Sequence, residues 1–305
     1  MSQDEFLLSE FEKVLLKNTH EKIINLDDRF GHDFDLYIDR AENIFNDTDV
    51  RVIPPNRWSY HRIILVKEGA ADFMTGIYKF SAQKNTLLVI PSRVITSSKN
   101  WTLDIKGYLV LFKLDFFLQN NFPRQSIESK KILNPTARPY VQIADEQAGE
   151  IGNVFEAMLR EKESAGKNKD ELIALKVLEL LILSERLFEH EHNFEDTAPS
   201  SSIIEKFIGL LDEYYLKQRS VSFYAAQLSV HPNYLNAVIK KHTGLTTKET
   251  IQNRLMLETK YLLHSTNLSI KEISNQLGFH DPNYFTSFFK QFEHISPANY
   301  RLSIL

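Results

Sequence analysis

The stretches His231–Gly244, "HPNYLNAVIKKHTG", and His280–His294, "HDPNYFTSFFKQFEH", decide the fold of the C-terminal third. Each carries Pro-Asn-Tyr, then a large apolar residue, then a Lys six positions after the Tyr, and Pro232 and Pro282 are fifty positions apart. In the second stretch Asp281 is a good N-cap and Pro282 fits the first helical position, so a helix starts there. Phe285, Phe288, Phe289 and Phe292 then fall at i, i+3, i+4 and i+7, which predicts one buried stripe. Asn283, Thr286, Ser287 and Lys290 share another, polar face. Just upstream, Ser269 is followed three residues later by Glu272, a capping box that starts a short helix running to about Gln276. Two short helices joined by a tight turn, the second with a polar face, make a helix-turn-helix.

The first stretch has the same plan. "SVSFYAAQL" supplies its first helix, with Ala225 where Ser274 stands in the second copy, so that two helices can cross closely. Leu235, Val238 and Ile239 are expected inside, and Asn233, Asn236, Ala237 and Lys240 outside. Gly244 ends the helix at C′. The copies differ in that the first turn is one residue shorter, His231 is a poorer cap than Asp281, and His294 replaces the closing Gly. His tolerates the left-handed conformation better than most residues. Between the copies, "TTKETIQNRLMLETKYLLHS" predicts a helix over about 247–264, roughly 27 Å long at ~1.5 Å per residue. A DNA turn is roughly 34–36 Å. A rigid spacer of that size can set two recognition helices in successive major grooves.

Residues 203–302 closely resemble the AraC/XylS family of bacterial transcription regulators. The resemblance lies in "AAQLSVHPNYLNAVIKKHTGLT", "IQNRLMLETKYLL" and "SIKEISNQLGFHDPNYFTSFFKQFEHISPANYR". It implies double-stranded DNA as partner, Asn233, Asn236 and Ala237 facing bases in one groove, and Asn283, Thr286 and Ser287 facing bases in the next. Lys240 and Lys290 would lie nearer phosphates. It also implies contact with RNA polymerase and an activating role. Relatives often carry larger or cationic residues at the base-facing positions; Ala237 can offer only apolar contact, for instance to a thymine methyl. The plain alternative for each of these residues is a solvated helix face. Tyr234 and Tyr284 are read as half-buried supports in preference to phosphate contacts.

The rest of the 305 residues is organised differently. Residues 1–20 read as a short amphipathic helix. "DFDLYID", "RIILVKEG", "ADFMTGIYKF", "NTLLVIPS" and "KGYLVLFKL" are short β-rich runs, with a tight hairpin expected at Thr75-Gly76. "HRIILVKEGAADFMTGIYKFSAQKNTLLVIPS" (61–92) resembles, less specifically, the cupin-like sensor domains fused to such DNA-binding units. "EQAGEIGNVFEAMLREKE" and "KDELIALKVLELLILSERLFEHEH" then predict an antiparallel helix pair. The second of these is apolar on more than one stripe, which suits either a core helix or a surface shared with a second subunit. The expected organisation is α+β and multidomain. Residues 1–191 would be a cupin-like, jelly-roll-type β-barrel (about 30–115) plus the helix pair (about 146–191), serving sensing or homodimerisation. Residues 192–202, polar with Pro and a Ser run, would be a linker. Residues 203–305 would be an all-α DNA-binding domain with two helix-turn-helix units.

Charge supports this division. Residues 200–305 hold 11 Lys and Arg against 8 Asp and Glu; residues 1–199 hold 25 against 32, and the whole chain is at −4. There are no cysteines, which excludes disulfides, thiolate zinc sites and thiol catalysis. No apolar run approaches a membrane span and the N-terminus lacks the pattern of a signal peptide, so a cytoplasmic, membrane-free protein is expected. Catalytic cupins need several His or Glu on one ion. Near the expected strand there is only His61, and Val94, Ile95 and Thr96 follow "IPSR" where a later His would fall. No metal, cofactor or catalytic residue is therefore expected, and no residue identifies an effector. The alternatives are a cupin-type isomerase or oxygenase with a DNA-binding appendage, and a constitutive DNA binder whose barrel only dimerises.

Overall fold

The computed structural model describes residues 34–45, 52–192 and 199–304. The expected helix over residues 1–20 lies outside them. Two antiparallel sheets face each other. The first has the order β1-β8-β3-β6-β9, from Leu36–Arg40, Lys106–Phe112, His61–Glu68, Thr86–Ile90 and Tyr140–Gln142. The second has the order β2-β7-β4-β5, from Val52–Asn56, Thr96–Lys99, Ala71–Thr75 and Tyr78–Ala82. A short helix α1 (Ala41–Phe45) follows β1. The predicted hairpin closes with Thr75 opposite Tyr78, leaving Gly76 at φ +56° as the first of two loop residues, the position where such turns require positive φ.

The helix pair, α4 (Asp145–Glu163) and α5 (Lys169–His192), covers the outer face of the first sheet. That explains the unbroken apolar text of β6. Leu87 and Val89 pack toward the helices, while Leu88 and Ile90 point between the sheets. β8 alternates the same way, with Val110 and Phe112 outward and Leu109 and Leu111 inward. A strand buried on both faces reads as a continuous apolar run, and each such side chain withdrawn from water contributes about 1.5–3 kcal/mol. The barrel extends past residue 115. After α2 (Leu114–Gln119) and α3 (Gln125–Glu128), the three-residue β9 returns to pair with β6. On α5, Leu172 and Leu175 stand outside this packing, 44% and 46% exposed.

The expected linker over 192–202 meets the described residues only at its ends. Residues 193–198 lie outside the described part, but 199–202 form the first turn of α6 (Pro199–Tyr214). Proline is tolerated at the first helical position because that N–H is unsatisfied anyway. Ile204, Phe207, Ile208 and Leu211 then bury against the helices that follow. These are α7 (Val221–Gln227), α8 (Pro232–Thr243), α9 (Thr247–Ser265), α10 (Ile270–Gln276), α11 (Pro282–Glu293) and α12 (Pro297–Ile304). α9 lies against β2 of the barrel. Among the described residues no helix is long and apolar enough to cross a membrane.

Candidate nucleic-acid interface

Both helix-turn-helix units form where the caps require. Ser220 accepts from the Phe223 N–H at the start of α7. Ser269 and Glu272 make a reciprocal capping box at α10. His231 Nδ1 accepts the Asn233 N–H at 3.2 Å, and the better cap, Asp281, does the same for Asn283 at 2.8 Å. Gly244 and His294 both close their helices in the left-handed conformation, at φ +77° and +58°. Ala225 and Ser274 sit fully buried at the two helix crossings.

The turns differ in length but share one left-handed residue, Ser229 at φ +55° and Gly278 at φ +74°. Ser229 is exposed. A non-glycine residue in this conformation costs about 1 kcal/mol. Ser229→Gly is therefore expected to raise stability by about 0.5–1 kcal/mol, read as a higher urea midpoint in far-UV circular dichroism. An unchanged or lowered midpoint would contradict it.

The buried side of α8 is Leu235, Val238 and Ile239, as the sequence predicts. The stripe on α11 is only partly so. Phe285 and Phe289 are fully buried, whereas Phe288 and Phe292 are half-buried at its edge, where Phe288 meets the Phe279 and Phe292 rings. Asn233, Ala237 and Lys240 on α8, and Asn283, Ser287 and Lys290 on α11, are exposed on matching faces.

Asn236 and Thr286 depart from the outward placement. Both are half-buried. Asn236 Oδ1 accepts the Thr247 N–H at 3.1 Å, capping α9. Thr286 Oγ1 donates to the Pro282 carbonyl at 3.0 Å. The difference follows from the repeat itself. Fifty positions on from Thr247 stands Pro297, which has no N–H to satisfy, so Thr can stand where the first copy needs Asn. Tyr234 and Tyr284 are the converse correction. They are 45% and 62% exposed and join the outer face rather than supporting the core. Their hydroxyls are of the kind that contacts phosphate, and their position two residues after each Pro places them one step round from the Asn.

Polar contacts join the barrel to this unit. Tyr78 Oη and His242 Nε2, at the end of α8, lie 3.2 Å apart. Arg57, after β2, reaches both carboxylate oxygens of Glu258 on α9 at 3.0 and 2.7 Å. His61 accepts the Ser92 N–H at Nδ1 and stacks on Phe112; burial pushes its imidazole down to about 4. Among the described residues no three His, Asp or Glu converge as metal ligands would.

Residues 224–303, both units and the spacer, match a protein family described as a helix-turn-helix domain. The curated relatives also match over only part of the chain. The Msm operon regulatory protein of Streptococcus mutans is 32% identical over 117 residues, 38% of this chain and 42% of that protein. The HTH-type transcriptional regulator YisR of Bacillus subtilis is 30% identical over 122 residues, 39% of this chain and 42% of that protein. The chain thus spans less than half the length of the curated relatives it matches. Among solved structures, ToxT from Vibrio cholerae aligns over 88% of this chain and 97% of that one, at 14% identity and a TM-score of 0.41.

Proposed function

We propose that the chain is a sequence-specific DNA-binding transcription regulator of the AraC type, in which α8 and α11 enter successive major grooves. The observation that supports this best is the matched exposure of Asn233, Ala237 and Lys240 with Asn283, Ser287 and Lys290, on helices started and stopped in the same way. Asn283 and Ser287 are the base readers of the second groove, Asn233 and Ala237 of the first. Lys240, Lys290 and the two exposed tyrosines take phosphates. Asn236 and Thr286 contribute by holding their helices and through whatever hydrogen-bonding capacity remains. The relatives are named as transcription regulators, one of them the transcriptional activator RhaS of Salmonella, which favours regulation, activation through RNA polymerase and a cytoplasmic, non-enzymatic role. The barrel senses a small molecule and passes its state to the DNA-binding unit through Arg57 and Tyr78. The exposed Leu172 and Leu175 on α5 give a second copy a surface on which to dimerise.

Selection from random DNA supplies a specific duplex, and gel-shift competition against a scrambled one measures discrimination. Asn283→Ala is expected to lose about 1–3 kcal/mol of preference for the selected duplex, the value of a bidentate amide–base contact. Lys290→Ala is expected to weaken both duplexes alike and lower the salt slope by about one. Equal losses on both duplexes for Asn283→Ala would remove it as a base reader.

A further inference from the structure

The Asn236 amide is committed on one side. Its Oδ1 accepts the Thr247 N–H at 3.1 Å, reaching from α8 to the first residue of α9. Only the oxygen of an amide can accept an N–H, which fixes O and N. That N–H has no acceptor inside its own helix. The capping box beside it is closed on itself, with Glu249 serving the Thr246 N–H at 2.7 Å and Thr246 serving the Glu249 N–H at 3.2 Å. Thr247 is fully buried, so water has no ready access. A buried N–H left unpaired costs more than one exposed hydrogen bond returns. The amide is therefore locked with its oxygen inward.

What remains is the Nδ2 amino group. It has no hydrogen-bond partner among the described residues and is not closed off from solvent. Asn236 stands at the edge of the outer face of α8, beside Ala237 and one turn from Asn233 and Lys240, all three exposed. An amide free to turn matches adenine, donating to N7 and accepting from N6; the exposed Asn233 and Asn283 have that freedom. An amide that can only donate matches guanine, whose N7 and O6 are both acceptors, and then thymine through O4. The amino groups of adenine and cytosine would meet a second donor.

We infer that Asn236 is a donor-only base reader, which selects guanine before thymine at one position of the groove entered by α8; this rests on the reading of α8 as a recognition helix. Asn233 and Asn283 stay able to select adenine. The second unit has no counterpart, because Thr286 holds the matching position and Pro297 has no N–H to engage it.

Selection from random DNA is run on the full chain as wild type, Asn236→Asp and Asn236→Ala, and base frequencies are compared position by position. Asp keeps an oxygen for the Thr247 N–H and turns the outward atom from donor to acceptor. Its urea midpoint in far-UV circular dichroism is expected to hold. At one position guanine should give way to cytosine or adenine, whose amino groups a carboxylate accepts from. Ala should flatten the same position, losing about twofold to tenfold in guanine preference, the net value of one hydrogen bond. Should the added carboxylate repel every duplex, Ala carries the test. A purely structural Asn236 would lower the midpoint as Ala and move no base frequency in either variant. That result, with a site still enriched, would overturn the inference and leave the DNA-binding reading standing. So would adenine in the wild type at the responding position. No enrichment by the wild type would overturn the DNA-binding reading and the inference with it.

Discussion

Gly278→Ala is expected to lower the stability of the C-terminal domain by about 3 kcal/mol, although it adds a single methyl group. Two costs combine. The residue sits at φ +74°, where a side chain is disfavoured by about 1–2 kcal/mol. A Cβ built there would also lie 2.5 Å from the Leu216 carbonyl oxygen, a backbone atom that cannot rotate away. The close approach is structural in purpose. Arg219, in the same segment before α7, donates to the Leu277 carbonyl at 2.8 Å and lies over the Phe279 ring at 3.8 Å. The turn of the second unit is thus clamped onto the entrance of the first. Ser229, in nearly the same backbone conformation but exposed, is expected to respond in the opposite direction to a change between side chain and no side chain. Because both tryptophans are in the barrel, urea unfolding followed by far-UV circular dichroism is the suitable measurement, with duplex binding measured in parallel. A loss under 1 kcal/mol for Gly278→Ala would mean that the turn can lift off Leu216 freely, and that the two units are not held as one body.

What could be read in the sequence was local. Caps, capping boxes, the helix period and the repeat all act within a few residues. Ser269 with Glu272, Asp281 with Pro282, and Gly244 therefore announced their helices correctly, and the alternation of Leu87, Leu88, Val89 and Ile90 became a two-faced strand. What could not be read depends on a partner elsewhere. Asn236 looks like any outward polar residue until Thr247, eleven positions on, presents an N–H to it. The signal was present in the comparison of copies, Thr247 against Pro297, but only once the register of both helices was known. β9 carries three residues and forms only because β6 offers an edge. Tyr234 and Tyr284 are exposed because the core beneath is already filled by Leu235 and Ile239, and by Phe285 and Phe289. The buried Arg62 was invisible for the same reason: a charge in an alternating strand is ordinarily on the wet face, and only the closure of the second sheet over it shows otherwise.

The other large effect is expected at Glu258. This carboxylate is 5% exposed in the middle of α9 and joins two guanidiniums, Arg57 from the barrel and Arg254 one turn away at 3.0 Å. Arg254 also pairs with Asp212 of α6 at 2.9 Å and lies over the Tyr215 ring at 4.1 Å; Arg57 lies over Tyr261 at 4.8 Å. Removing one member of a buried ion cluster leaves the others desolvated without compensation, which costs about 3–5 kcal/mol. Glu258→Ala is expected in that range, because Arg254 would retain only Asp212. Arg57→Ala should cost about 1–2 kcal/mol, since Arg57 is a third exposed and Glu258 keeps Arg254. The two losses should not add. A double-mutant cycle is expected to return a coupling of at least 1 kcal/mol, as for contacting residues in one network. On the proposed function, that coupling would be the physical link between the barrel and the two helix-turn-helix units, because α9 spaces α8 and α11 and Arg57 follows β2 directly. A coupling near zero would leave the barrel resting on α9 without gripping it, and an event inside the barrel would then have to reach the DNA-facing helices through Tyr78 and His242 instead.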